Sequence, residues 1–176
     1  MRRSRTRLVA PTLLLLFACR PDLPPGLGDP VPDSEFEVVD GTGSALERGA
    51  RVRLSTLKGK PVILDFWATW CGPCRAQHAY LVDLKSHYGD RVEVLGVLYQ
   101  DEGGNLPSWI ERNETAYPTV IEPEGRLTKT FQVNAIPRLV LLGPDRRLSW
   151  DMMGAWGRDS VSVRLDEMLA RSEAPH

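Results

Sequence analysis

The chain has 176 residues, 42% apolar and 26% charged, with 22 Lys+Arg against 23 Asp+Glu for a net charge of −1. That length suits one domain, and the apolar fraction excludes a disordered chain. Three cysteines are too few for a disulfide-stapled mini-protein, and a near-neutral surface argues against nucleic acid as a partner.

Met1 to Arg7 carries four arginines and no acid, and Leu8 to Ala18 follows as an apolar run. These are the n-region and h-region of a secretory signal, too short to span a bilayer, which takes about 20 apolar residues. Leu16-Phe17-Ala18-Cys19 resembles a bacterial lipobox, which implies that Cys19 is diacylated and becomes the mature N-terminus. Taking four arginines from 22 Lys+Arg leaves 18 against 23 acids, a mature net charge of −5. No polybasic patch remains, so the lipid alone would hold the protein to the membrane. Pro21, Pro24, Pro25, Pro30 and Pro32 then make an extended tether that could reach roughly 40 Å. The expected organisation is a signal over 1–18, a Pro-rich tether over 19–33, one domain over 34–172 and a tail over 173–176.

Within the domain, Phe36 to Val39 and Val52 to Leu54 read as short strands across the turn-rich Asp40-Gly41-Thr42-Gly43. Val62 to Ala68 is apolar almost throughout, as a strand covered on both faces should be. The segment after Cys74, with Leu81 and Leu84 on one face and Gly89 beyond its end, predicts a helix. Val92 to Leu98 is a second buried strand, and Leu106, Trp109 and Ile110 space a short helix. Val120-Ile121 is a brief strand, and Leu127 to Phe131 a helical turn. Leu139 to Leu142 and Leu148 to Met152 form a hairpin across Gly143-Pro144-Asp145; Val161, Leu165 and Leu169 mark a terminal helix. The fold class is therefore α/β, a mixed central sheet flanked by helices.

Trp70-Cys71-Gly72-Pro73-Cys74 falls where a buried strand ends and a helix begins. Free N–H groups and the macrodipole at a helix N-terminus favour a Cys71 thiolate, and the two-residue spacer brings Cys74 one turn away. Pro73 has no N–H to lose there. Structural zinc would need four ligands, and His78 could bring the count only to three. Covalent haem needs His directly after the second Cys, where Arg75 stands. A structural disulfide, or a peptide- or metal-binding lipoprotein without catalysis, is the alternative that these residues leave open. Trp67, Trp109, Trp150 and Trp156 read as packing residues, His78 and His87 as solvated, and Arg146-Arg147 as charge at the hairpin tip.

Asp65-Phe66-Trp67-Ala68-Thr69-Trp70-Cys71-Gly72-Pro73-Cys74 resembles the active-site segment of thioredoxins. With Gly59-Lys60-Pro61-Val62 before it, the segment is more similar to the exported TlpA/ResA/CcmG-type branch. Tyr117-Pro118-Thr119-Val120 and Glu122-Pro123-Glu124-Gly125 match that branch's central insertion, and Val133 to Pro137 its cis-proline loop. The resemblance runs from about Phe36 to Leu169. It implies a thioredoxin-like fold with an N-terminal β-hairpin extension and a central insertion.

It further implies a redox disulfide with Cys71 as nucleophile and Cys74 as resolving thiol. Pro137 would be cis, leaving the Ile136 backbone to a substrate strand, and Trp70, Gly72, Pro73 and Ile136 would wall the site. Asp65 would move a proton for Cys74, a role that suits a carboxyl at the end of an apolar strand. Two positions depart from the ResA-like pattern: Gln77 replaces the acid three residues after the second Cys, and Ala79 the following proline. They point away from specialised cytochrome maturation.

The expectation is a lipid-anchored oxidoreductase of the bacterial cell envelope, facing the periplasm or extracytoplasmic space and needing no organic cofactor or metal. It would reduce disulfides in exported proteins, apocytochrome c among the candidates, and be recharged by a transmembrane thiol relay. A disulfide-donating oxidase is the alternative within the same fold.

Overall fold

The computed structural model of the chain describes residues 23–57, 59–101, 105–154 and 159–173. Cys19, Trp156 and the signal-like segment lie outside them. Seven strands form one mixed sheet in the order β2-β1-β5-β4-β3-β6-β7. These are β1 (Glu35–Asp40), β2 (Arg51–Arg53), β3 (Val62–Trp67), β4 (Glu93–Leu98), β5 (Thr119–Ile121), β6 (Arg138–Leu142) and β7 (Leu148–Met153). β3, β4 and β5 run parallel, while β6 pairs antiparallel with β3 and with β7. The expected N-terminal hairpin forms, β1 pairing antiparallel with both β2 and β5.

All six residues of β3 are buried, Asp65 among them, as a strand apolar at all its remaining positions leads one to expect. The period of two along the strand sorts its side chains. Leu64 and Phe66 join Phe36, Leu95, Val120 and Phe131 on one face. Ile63 faces the other way, against Leu81 and Leu84 of α1 (Gly72–Tyr88) and Val161 and Leu165 of α4 (Asp159–Glu173). Asp65, two residues along from Ile63, is thereby turned toward α1.

Between β4 and β6 lie α2 (Leu106–Arg112), β5 and α3 (Arg126–Thr130). The acidic turn of the insertion has a structural use: Glu122 accepts the free amides of Leu127 (2.6 Å) and Thr128 (3.1 Å) at the start of α3. α1 ends at Gly89, whose φ of 55° lies in the left-handed region open to glycine.

Two expectations are corrected. Arg146 is buried, not a tip charge: its guanidinium donates to the carbonyls of Leu57, Lys60 and Gly143, tying the hairpin to the segment that leads into β3. The C-terminal part of the supposed tether is packed onto the domain. Gly28 donates to Leu148, Val31 to Arg146, and Pro30 bridges Arg147, because the turn before β7 offers a free backbone edge.

Candidate active site

Cys71 is the N-cap residue of α1, and its sulfur accepts the backbone N–H of Cys74 at 3.2 Å. The free N–H groups of a helix start stabilise negative charge there, so the contact favours a thiolate on Cys71. The two sulfurs are joined as a disulfide. Cys71 is 7% exposed and Cys74 1%, so an incoming sulfur can reach only the first.

Loops from three directions hold this corner. The Cys71 amide donates to Ala68 (3.1 Å), the Thr69 amide to Asp101 (2.6 Å), and the Trp70 indole to the Gln100 carbonyl (3.3 Å). Trp70 is 62% exposed beside the disulfide, while Gly72 and Pro73 face solvent at the helix start. The Ile136–Pro137 bond is cis, and Ile136 packs against the apolar cluster that contains both cysteines. Arg138, immediately after it, makes a two-pronged ion pair with Asp151 at 2.8 and 2.6 Å, which fixes the start of β6.

Asp65 lies buried under the first turns of α1, where Gln77 donates to its Oδ1 at 2.6 Å and the Tyr117 hydroxyl lies 3.4 Å from its Oδ2. Burial pushes its pKa up to about 7, and the bonds from Gln77 and Tyr117 offset only part of that rise. Gln77, where the family pattern has an acid, is a neutral donor to Asp65 instead of a second carboxylate beside it.

His78 was expected in solvent and is buried. α2 and the segment before β5 fold across that side of α1, placing the ring edge-on to Trp109, with centroids 4.5 Å apart. Its Nε2 lies 2.8 Å from the Glu114 carbonyl and its Nδ1 2.6 Å from the Tyr117 hydroxyl. A readable signal existed: Cys74, Gln77, His78, Leu81 and Tyr88 continue the buried stripe of α1 back to its start. Gly96, opposite Asp65 in the ladder, makes room for this group. A Cβ there would stand 2.8 Å from the Trp67 indole nitrogen and 3.2 Å from the Tyr117 ring. No three His, Cys, Asp or Glu side chains converge as metal ligands among the described residues.

Residues 27–150 match the AhpC/TSA family. The chain is 27% identical over 143 residues to the thiol-disulfide oxidoreductase ResA of Oceanobacillus iheyensis, covering 81% of this chain and 72% of that protein. It is 31% identical over 117 residues to the thiol:disulfide interchange protein DsbE of Escherichia coli, 66% of this chain and 59% of the relative. Among solved structures, the pneumococcal exposed lipoprotein thioredoxin Etrx1 of Streptococcus pneumoniae superposes with a TM-score of 0.63 at 27% identity. That match covers 77% of this chain and 99% of the other. The chain belongs to the AhpC/TSA family and is a thiol–disulfide oxidoreductase of thioredoxin-like fold.

Proposed function

We propose that the protein reduces disulfides of exported proteins from the membrane surface, with Cys71 as nucleophile and Cys74 as resolving thiol. The observation that carries this is Cys71 at the N-cap of α1, its sulfur held by the Cys74 amide while Cys74 stays buried behind it. The Cys71 thiolate attacks one substrate sulfur, and the other leaves as a thiolate that takes a proton from water. Asp65 then accepts the Cys74 proton. The Cys74 thiolate attacks Cys71 Sγ, closing the enzyme disulfide and releasing the second substrate thiol. Two electrons pass to substrate, and a transmembrane thiol relay must return them. The backbone at Ile136, beside cis-Pro137, is offered to an extended substrate segment, a mode of recognition with little sequence selectivity.

The reducing direction rests on how weakly the Cys71 thiolate is stabilised. Among the described residues only the helix terminus is seen to reach its sulfur, no His or Lys lies inside the CxxC, and an ionised Asp65 opposes a second negative charge nearby. Equilibration with glutathione, followed by Trp fluorescence, should give a potential nearer thioredoxin's, about −270 mV, than that of DsbA, about −120 mV. A value above about −180 mV, the level of a disulfide isomerase, would reverse the direction. Substrates should be captured on Cys71 as mixed disulfides by Cys74→Ala.

Anchoring through Cys19 is supported by the lipobox-like Leu16-Phe17-Ala18-Cys19, and the relative Etrx1 is itself described as an exposed lipoprotein. No helix among the described residues is long and apolar enough to cross a membrane. Lipid labelling in cells should disappear in Cys19→Ser; labelling that persists would remove the anchor from the proposal.

A further inference from the structure

Asp65 is reached by a side-chain chain that the exchange reaction, as usually drawn, does not use. From its Oδ2 the Tyr117 hydroxyl stands at 3.4 Å, the His78 Nδ1 lies 2.6 Å beyond that hydroxyl, and the His78 Nε2 lies 2.8 Å from the Glu114 carbonyl. Asp65 and Tyr117 are each 1% exposed, and His78 is 3% exposed. His78 nevertheless lines an open cleft of about 280 Å³ between α1 and the segment after α2, with Arg75, Asp83, Arg112 and Glu114 around it.

The hydrogen bonds permit two complete arrangements. The Glu114 carbonyl can only accept, so His78 Nε2 carries a proton, and in the neutral ring Nδ1 is an acceptor. The Tyr117 hydroxyl then donates to Nδ1, and a protonated Asp65 donates to the Tyr117 oxygen. In the second arrangement the hydroxyl turns to the Asp65 carboxylate, and Nδ1, now protonated, donates to it. Every donor has an acceptor in both, and the two differ by one proton moved from Asp65 to His78. The shorter Tyr117–His78 distance matches the first. Gln77 serves both states without moving, because its Nε2 donates to Oδ1, the unprotonated oxygen of the acid in the first arrangement and a carboxylate oxygen in the second.

We propose that Tyr117 and His78 relay the Cys74 proton from Asp65 to the cleft beside α1. The proposal rests on the exchange reading above. Asp65 takes the proton as the Cys74 thiolate forms. The Asp65 O–H passes a proton to the Tyr117 oxygen, Tyr117 passes its own to His78 Nδ1, and His78 releases one from Nε2 to water in the cleft. The ring then turns to that water, gives up the Nδ1 proton while regaining one on Nε2, and restores its bond to the Glu114 carbonyl. No bond other than O–H and N–H changes, and Tyr117 is never left as an anion. Burial holds the His78 pKa below its ordinary value, and the Tyr117 pKa far above its own, so neither residue stores the proton. The groups facing His78 are Trp67 on β3, Tyr117 and Glu114 before β5, Trp109 and Arg112 on α2, and Arg75 and Asp83 on α1, with Asp65 reached through Tyr117.

The test mixes the reduced full-length protein with dithiobisnitrobenzoate in a stopped-flow instrument. The first equivalent of coloured thiolate reports attack by Cys71, and the second reports resolution by Cys74. Tyr117→Phe should slow the second phase by about tenfold, less than the roughly hundredfold or more lost with a direct acid–base group because Asp65 still takes the proton, and leave the first within about twofold. His78→Ala should do the same, and added imidazole should restore the rate. Pyrazole, which has the same shape but is a far weaker base, should not. An unchanged second phase in Tyr117→Phe would sink the relay, and that variant decides alone should His78→Ala not fold. Equal rescue by pyrazole would make His78 a packing residue. A native protein that releases only the first equivalent would instead overturn the exchange reading itself.

Discussion

Asp65 and Asp151 are carried on strands of one sheet, and each reaches the site through a neighbour, but what stands opposite them differs. Asp151 meets the Arg138 guanidinium with two short bonds, and Arg138 directly follows cis-Pro137. Among the described residues Asp65 meets only the amide of Gln77 and the hydroxyl of Tyr117. A carboxylate matched by a full cation anchors a loop. One matched by neutral donors in a dry site keeps an open proton equilibrium, here centred at about 7. The substrate-facing loop and the proton acceptor are thus built from the same residue type, separated by the presence or absence of one arginine.

Removing the Asp65 carboxylate should give the largest effect. Asp65→Asn is expected to slow the second, resolving phase by about a hundredfold, the low end of the range for general acid–base groups, with the first phase little changed. Its stability effect has the opposite sign. A carboxyl whose folded pKa lies above its unfolded one contributes fully below about pH 4, and that contribution is lost as pH rises to about 7. The Asn variant should therefore be more stable than the native chain by about 2–4 kcal/mol at pH 8 and nearly equal at pH 4, as read from urea midpoints.

The matched carboxylate should respond the other way. Arg138→Ala leaves Asp151 without its cation and should cost about 2 kcal/mol, below the fully buried range because the pair is partly exposed, at side-chain values of 10% and 18%. The pH dependence of resolution should not move. A shift in that dependence would mean the two carboxylates are coupled, and the contrast between them would fail.

Gln77→Glu sharpens the comparison from the Asp65 side. It restores the acid of the ResA-like pattern, removes a donor to Asp65 and adds a like charge, and both changes raise the Asp65 pKa. The inflection in the resolution rate should rise by about one pH unit or more. The smallest effect is expected at Gly96, where an added Cβ would press on the Trp67 indole nitrogen and the Tyr117 ring. Gly96→Ala should cost about 1–2 kcal/mol of stability.

The parts of the site legible in the sequence are those made locally. The Cys71–Cys74 spacing, the helix start and the inward turn of Asp65 all follow from one strand, one turn and one helix contiguous in the chain. What escaped depended on partners far away in sequence. His78 is buried only because Trp109, Glu114 and Tyr117 close over α1, and Arg146 only because the Leu57 and Lys60 carbonyls lie beneath the hairpin. Hydrophobic periodicity finds apolar residues on a buried face. A histidine or arginine there is read as surface until the acceptors that satisfy it are in place.

The most direct measurement is the pH dependence of the second thiolate phase in the native chain and in Asp65→Asn. In the native protein the rate should rise through an inflection at about 7 as Asp65 ionises and becomes able to take the Cys74 proton. In Asp65→Asn that inflection should vanish, leaving only a rise near the ordinary thiol value of about 8.5 or above. An inflection at the same pH in both proteins would contradict the assignment of Asp65 as the proton acceptor.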